Sequence, residues 1–475
     1  MLSGRYPDAS YLHPSHFPAS LRLSSSFPII LIASIIQVPS FIIFPNKMSS
    51  YCGTPSPKYQ PDGTSDYAIV PRPALTFGVE LEFGIACLPR GYIDPHPEDN
   101  RQVYGILDFG LAETNHASNA CLGLHEPICI EDDIGDWGPI QLHIADTLRK
   151  QGLYSCSDVD MNATDYDLAT SWLVKNDSSI KFPPLNYKFR DVEVVSPPFH
   201  FCKEALNEVA VVCETLPSQY RLISNTSCST HVHVGNGTLG FTLPYLRNLM
   251  AMLWAFEPQL DTLHPNHRVG PTRYNGSLRE HSKLGLKLQS RGLNATVGLQ
   301  RIFESKEVNE LVDILSRPNY QQRPPYTMGY SIINLMEKGT PDSYEDFLEA
   351  EPTKKTVEFR LHEGTLDAEA ITQWIRLCVG LVEFAEEVRP DNLRTWLETY
   401  IDTDYNVMQI LEATKQPQAA EYYEKKLAER AARGPDTSER IAPNYHVDHL
   451  EESMIDDYIR ELGDWCQERE DRRYE

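Results

Sequence analysis

A chain of 475 residues with 41% hydrophobic side chains can bury a large core, in one big domain or two ordinary ones. Its net charge of −24 argues against a general nucleic-acid binder and against docking on anionic membranes, while leaving room for a local basic pocket for phosphate. Ten cysteines, with no Cys-x-x-Cys pair and no regular spacing, fit reduced intracellular thiols better than a disulfide framework or a zinc knuckle.

In chain order, the first feature is an apolar run over residues 27–44, interrupted by Pro28, Gln37 and Pro39. It is about the minimum length for a membrane span, with few basic residues before it and no clear cleavage site after it. Three readings stand: an uncleaved anchor, a signal segment, or an extension whose true start is Met48. The last is preferred, with a cytoplasmic protein and no membrane contact unless 27–44 is a real anchor. Residues 1–66 are expected to be a disordered leader, anchor or mis-annotated segment.

Thr76-Phe77-Gly78-Val79-Glu80-Leu81-Glu82-Phe83 reads as a strand with two unlike faces. Phe77, Val79, Leu81 and Phe83 point one way, and Gly78, Glu80 and Glu82 the other. Residues 92–138 read as a long loop or insertion, 139–152 as a helix stopped by Gly152, and 171–174 as a short strand before a turn at 175–179. A strand over 191–196 is stopped by Pro197-Pro198, and 201–215 is an amphipathic helix. Residues 230–234 are a strand, and Thr242 starts a long helix to 263 that Pro258 should bend or break. Residues 268–300 read as polar and irregular, 304–315 as a helix, and 330–335 as a strand or tight segment. Residues 356–363 are a strand, and Asp367 caps a helix carrying Ile371, Trp374, Ile375, Cys378 and Leu381. Beyond about residue 390, charged helices over 416–433 and 449–473 suggest solvated faces or a peripheral appendage.

Four strand candidates share one design. Glu80 and Glu82 oppose an apolar face, as do Glu193 between Val192 and Val194, and His231 and His233 among valines. In the last strand Glu358, Arg360 and His362 are expected on the polar face, with Val357, Phe359 and Leu361 inward. This is the pattern of a sheet with helices on one face and a cleft on the other. So many ionisable groups on one face are costly unless charges compensate, which divalent metal and a polyphosphate would do. Oxygen-rich ligands with one imidazole suit Mg²⁺ or Mn²⁺ better than structural zinc. Each element alone has an ordinary explanation: solvated glutamates, a structural His-x-His pair, a surface Glu-Phe-Arg ion pair, or a plain turn at Asp177-Ser178. Their joint occurrence favours a metal-dependent enzyme. No phosphate-binding Gly-x-x-x-x-Gly-Lys-Ser/Thr loop, dinucleotide fingerprint or Gly-x-Ser-x-Gly elbow is present.

Four motifs in this order resemble those of the amidoligase family common in fungi, placed in the carboxylate–amine ligase superfamily with glutamine synthetase and glutamate–cysteine ligase. They are Phe77-Gly78-Val79-Glu80-Leu81-Glu82-Phe83, Glu193-Val194-Val195-Ser196-Pro197, Ser227 through Gly235, and Thr356 through Thr365. The resemblance covers residues 76–388. It implies an α+β fold with a curved, mainly antiparallel sheet, helices on one face and the active site on the other, plus C-terminal helices. It divides the chain into a leader to 66, an amidoligase-like catalytic domain over 67–395 with an insertion at 92–138, and a charged helical extension over 396–475.

The resemblance also implies ATP and Mg²⁺ or Mn²⁺. Glu80, Glu82, Glu193, His231 and Glu358 would be metal ligands. His233, Arg268 and Arg360 would contact the nucleotide or its phosphates, and Arg360, Glu82 and Glu358 would serve catalysis. Asp177 and Ser179 match family positions more loosely. One departure is Ser229 after Cys228, where the family usually has Cys-Gly. The implied reaction joins a small-molecule carboxylate to an amine through an acyl phosphate. The alternatives are a hydrolase using the His-x-His strand on zinc and a non-catalytic binding relative.

Overall fold

The computed structural model describes residues 74–89, 93–107, 129–131, 138–182, 187–269, 275–318, 328–336 and 354–433. The expected leader over 1–66, with its apolar run, and the expected helix over 449–473 lie outside them. Among the described residues no helix is long and apolar enough to cross a membrane, and Cys87, Cys156, Cys202, Cys213, Cys228 and Cys378 take part in no disulfide.

The chain begins with a long strand, β1 (Thr76–Pro89), followed by β2 (Tyr104–Leu107) and β3 (Cys129–Glu131) inside the expected insertion. Helix α1 (Gly138–Lys150) stops before Gly152, whose φ of +83° is the left-handed conformation that glycine adopts freely. Then come β4 (Ser155–Ser157), α2 (Asp165–Thr170), β5 (Trp172–Lys175), β6 (Lys188–Val195), β7 (Phe199–His200), α3 (Lys203–Gln219), β8 (Leu222–Ile223) and β9 (Ser229–Gly235). Helices α4 (Leu243–Asp261), α5 (Leu278–His281), α6 (Lys283–Ser290), α7 (Ala295–Glu304) and α8 (Val308–Leu315) precede β10 (Tyr330–Ser331), a 3-10 turn at Ile333–Leu335, and β11 (Thr356–Glu363). Helices α9 (Ala368–Glu387), α10 (Pro390–Tyr400), α11 (Val407–Ala413) and α12 (Pro417–Arg433) close the described chain.

The fold is α+β, with an open, mixed sheet that is mostly antiparallel. Its main path runs β10-β11-β9-β1-β6-β5-β4, with β2, β7 and β8 also pairing with β1. Among the strands of the described residues, the β1–β2, β2–β3 and β4–β5 pairs are parallel. The apolar side of each strand is buried: Phe77, Val79, Leu81 and Phe83 join Val192, Val194, Val232, Val234, Val357 and Phe359 in one core. Helix α9 packs beneath β9 and β1 and presents the expected stripe of Ile371, Trp374, Ile375, Cys378 and Leu381.

Three expectations are corrected. Pro258 neither breaks nor ends α4. Without an N–H at Pro258 the carbonyl of Trp254 loses its helical donor, and Arg279 supplies one: Nε reaches the Trp254 oxygen at 2.6 Å and Nη2 the Ala255 oxygen at 2.6 Å. The stretch 268–300 is not irregular, since Ser277, Ser282 and Asn294 cap α5, α6 and α7 by accepting from Glu280, Gly285 and Val297 backbone amides. The third is His362. Opposite β9 the pairing steps from Phe359–Val232 to His362–Thr230, so three residues of β11 span two of its neighbour. This bulge reverses the alternation, sending His362 to the helix-packed face instead of the polar one.

There His362 is 2% exposed. Its ring lies 5.6 Å from that of Trp374 and 6.1 Å from that of His264, and its Nδ1–H donates to the Glu363 carbonyl at 2.8 Å. Burial, with the Lys426 charge adding to it, pushes its pKa down to about 3. An unfolded histidine titrates near ~6.5, so the unfolded chain binds a proton in the window between that value and the folded one. Stability from neutral His362 is therefore complete above that window and is lost as pH falls through it, on the order of 5 kcal/mol in total. Urea midpoints from pH 7.5 to 4 are expected to fall more steeply in the wild type than in His362→Phe. Equal slopes would refute this account.

Candidate active site

Strand register builds the site. Glu80 sits opposite His231, Glu82 opposite Glu193, and Glu358 opposite His233, with Gly78 opposite His233 on its other side. Directly paired residues share a face, so Glu80, Glu82, Glu193, His231, His233 and Glu358 converge on the side away from α9. All six are at least nine-tenths buried.

His231 is the hub. Its Nδ1 lies 2.9 Å from Glu80 Oε2 and 3.8 Å from Glu358 Oε1, and its Nε2 lies 3.6 Å from Glu82 Oε1. His233 Nε2 lies 3.1 Å from Glu80 Oε1 and 3.8 Å from Glu358 Oε1, while its Nδ1 meets Thr356 Oγ1 at 3.1 Å. One ligand atom from each of Glu80, His231 and Glu358 lies within 4.8 Å of the others. Atoms that close fit a single divalent cation held at about 2.0–2.2 Å, and two carboxylates with one imidazole suit Mg²⁺ or Mn²⁺.

Four cations offset the carboxylates. Arg360 Nη1 donates to Glu358 Oε1. Lys354 Nζ lies 3.3 Å from Glu80 Oε1, and Lys175 Nζ 3.0 Å from Glu193 Oε2. Arg268, only 4% exposed, donates through Nη2 to the Arg360 carbonyl at 2.7 Å. Burial would raise the Glu80 carboxyl, but the His233 charge and hydrogen bonds from both histidines outweigh it and hold it well below the usual range. Burial would likewise raise Glu358, where Arg360 and then His233 and His231 win and lower it. Glu193 goes the other way: burial and the nearby Glu80 charge push it up to about 8 against the pull of Lys175. Burial brings Arg268 down to about 10 despite the Glu82 charge.

Glu80, Glu82, Glu193, His231, His233, Arg268, Glu358 and Arg360 thus lie on or beside one polar face. Asp177 makes a local turn at its edge, its Oδ1 accepting from Ser179 N at 2.7 Å and its charge acting on Lys175. Two lysines escaped the sequence reading. Lys175 pairs with Glu193 across β5 and β6, and its alternation with Val174 was hidden by the turn residues that follow. Lys354 precedes β11 and carries no pattern signal. Ser229 turns out to matter as well, since its N–H and its hydroxyl both donate to Glu82 Oε2 at 2.7 Å. A glycine there would offer only the first of these bonds.

No curated protein matches the chain. The family described as "putative amidoligase enzyme" matches residues 73–382, a span that contains β1, β6, β9 and β11 and all the residues just placed. The chain therefore belongs to the amidoligase family, a family of ligase-type enzymes.

Proposed function

We propose that this polar face is the active site of an ATP-dependent ligase that joins a small carboxylate to an amine through an acyl phosphate. One observation carries the reading: in an amidoligase chain, Glu80, His231 and Glu358 converge within 4.8 Å with Arg360 bound to Glu358. Mg²⁺ or Mn²⁺ held by Glu80, His231 and Glu358, with Glu82 and Glu193 as further ligands, would supply the charge that draws phosphate oxygens to the site.

The protein's own groups then have defined tasks. Arg360 and Arg268 face charge developing on the transferred phosphoryl group, and Lys175 and Lys354 neutralise the acidic wall around it. His233 is held by Thr356 through Nδ1 and by Glu80 through Nε2, and a phosphate or substrate oxygen would compete with Glu80 for the second nitrogen. The substrate carboxylate attacks the γ-phosphorus and ADP leaves. The amine nitrogen then attacks the acyl carbon, the C–O bond to phosphate breaks, and the nitrogen gives up a proton. Near-complete burial of the glutamates keeps water from competing for the acyl phosphate. A zinc hydrolase built on His231 and His233 fits less well, because the converging triad holds a single imidazole.

The test is ADP release by purified protein with Mg²⁺ across pairs of carboxylates and amines. Release is expected only when both partners are present. Absence of nucleotide binding in calorimetry with Mg²⁺ would end the proposal.

A further inference from the structure

Glu80 belongs to the converging triad, and both of its oxygens hold donors. Oε2 accepts from His231 Nδ1 at 2.9 Å. Oε1 accepts from His233 Nε2 at 3.1 Å and from the Lys354 ammonium at 3.3 Å. A divalent cation that coordinates Glu80 competes with these partners for the same lone pairs.

The three partners are not equally able to leave. His231 and His233 are 5% and 8% exposed and lie on a strand paired on both sides. The side chain of Lys354 is 59% exposed, while that of Glu80 is 10% exposed. An ammonium that lets go of Glu80 passes into water, whereas a buried imidazole that loses its partner stays buried. The other cations of the site are held harder. Arg360 is buried against Glu358, and Arg268 is buried against the Arg360 carbonyl. Lys175 meets Glu193 at 3.0 Å and lies in the field of Glu80 and Asp177 as well.

Lys354 also has a fixed base. Two residues on, Thr356 begins β11, pairs with Gly235 and meets His233 Nδ1 through its Oγ1 at 3.1 Å. The flexible four-carbon stem can therefore move the ammonium without moving the strand.

We propose that Lys354 is an exchangeable counter-ion. It pairs with Glu80 until a divalent cation takes that carboxylate, and it then turns to the phosphate oxygens of a metal-bound nucleoside triphosphate. A compact charge with three rotatable donors suits both partners. No covalent bond changes in the exchange, so Lys354 is a binding residue that couples two ligands. It opposes the metal alone, because metal and ammonium repel. It favours metal with nucleotide, because the phosphates lie between the two charges. Metal and nucleotide then strengthen each other's binding by one common factor. Even at the dielectric of water, two unit charges about 4 Å apart shift an equilibrium about fivefold, and a divalent ion doubles that energy. The inference rests on the ligase reading for its nucleotide, but not for its metal.

Two calorimetric titrations of the full chain test it: Mn²⁺ alone, and the non-hydrolysable ATP analogue adenylyl imidodiphosphate in the presence of Mn²⁺. Lys354→Met is expected to bind Mn²⁺ alone about fivefold more tightly than the wild type, or better. The same variant should bind the nucleotide about fivefold more weakly, or worse. Lys354→Arg keeps the charge on a long stem and should stay near the wild type with Mn²⁺ alone. Mn²⁺ affinity that is unchanged or weaker in Lys354→Met overturns the counter-ion. An equal gain in Lys354→Arg does so too, because it assigns the effect to the stem and not to the charge. Nucleotide binding that ignores Lys354→Met removes the phosphate contact and leaves the ligase standing. A gain in Mn²⁺ affinity with no nucleotide binding to the wild type would do the reverse, ending the ligase reading and keeping Lys354 as the counter-ion of Glu80.

Discussion

Glu358→Gln is expected to abolish ADP release, by on the order of 10³-fold or more, in a protein that still folds. Loss of an outer partner of a metal ligand costs about 10–100-fold in affinity or activity, and Glu358 stands closer to the chemistry than that. Its Oε1 faces Arg360 and lies 3.8 Å from both His231 Nδ1 and His233 Nε2. Glutamine keeps the volume and one acceptor oxygen, so packing survives. What disappears is a negative charge in a site whose other charges were arranged around it. A second readout does not depend on turnover. Mn²⁺ at a hundredfold excess over its Kd should stabilise the wild type by about 2.7 kcal/mol, seen as a rise in thermal midpoint. The rise should vanish in Glu358→Gln. Full activity together with an undiminished Mn²⁺ response in that variant would show that the triad is not the metal site.

How far the sequence led depends on the kind of signal. Strand alternation is local, so Glu80, Glu82, Glu193, His231, His233 and Glu358 could be assigned to polar faces before any partner strand was known. Their convergence is a matter of register, which no single strand reveals. Register also exposed Lys175, which a turn-like neighbourhood concealed. The bulge that turns His362 inward was illegible because Arg360, Leu361 and His362 alternate without interruption, and only pairing with Thr230 breaks the count. Pro258 misled for a related reason: the donor that replaces its missing N–H comes from Arg279, outside the helix. The C-terminal helices look charged and solvated, yet Leu393, Leu397, Ile410, Leu411 and Tyr423 are buried. Their sparse apolar positions suffice because α10 packs on α4 and α12 on α9. Lys426 of α12 even reaches Glu363 of β11 at 3.5 Å.

Arg360→Met is expected to lose both activity and stability, the latter by about 3–5 kcal/mol. The side chains of Arg360 and Glu358 are 14% and 7% exposed, so breaking the pair strands a carboxylate with little access to water. His231 and His233 stand near enough to share part of that charge, which places the loss toward the lower end. Removing both partners should cost less than removing the arginine alone. In a double-mutant cycle, Glu358→Gln with Arg360→Met is expected to recover at least about 1 kcal/mol of the single-variant loss. Additive losses would mean that the pair is incidental to stability. A divalent cation adds a discriminating arm. If Arg360 and the metal compensate the same carboxylate, Mn²⁺ should stabilise Arg360→Met by more than it stabilises the wild type, while activity stays lost. Stability regained without catalysis would then assign to Arg360 a task that neutralising Glu358 cannot fulfil, which is contact with the phosphoryl group in transfer. An equal Mn²⁺ response in the two proteins would instead separate the arginine from the metal site.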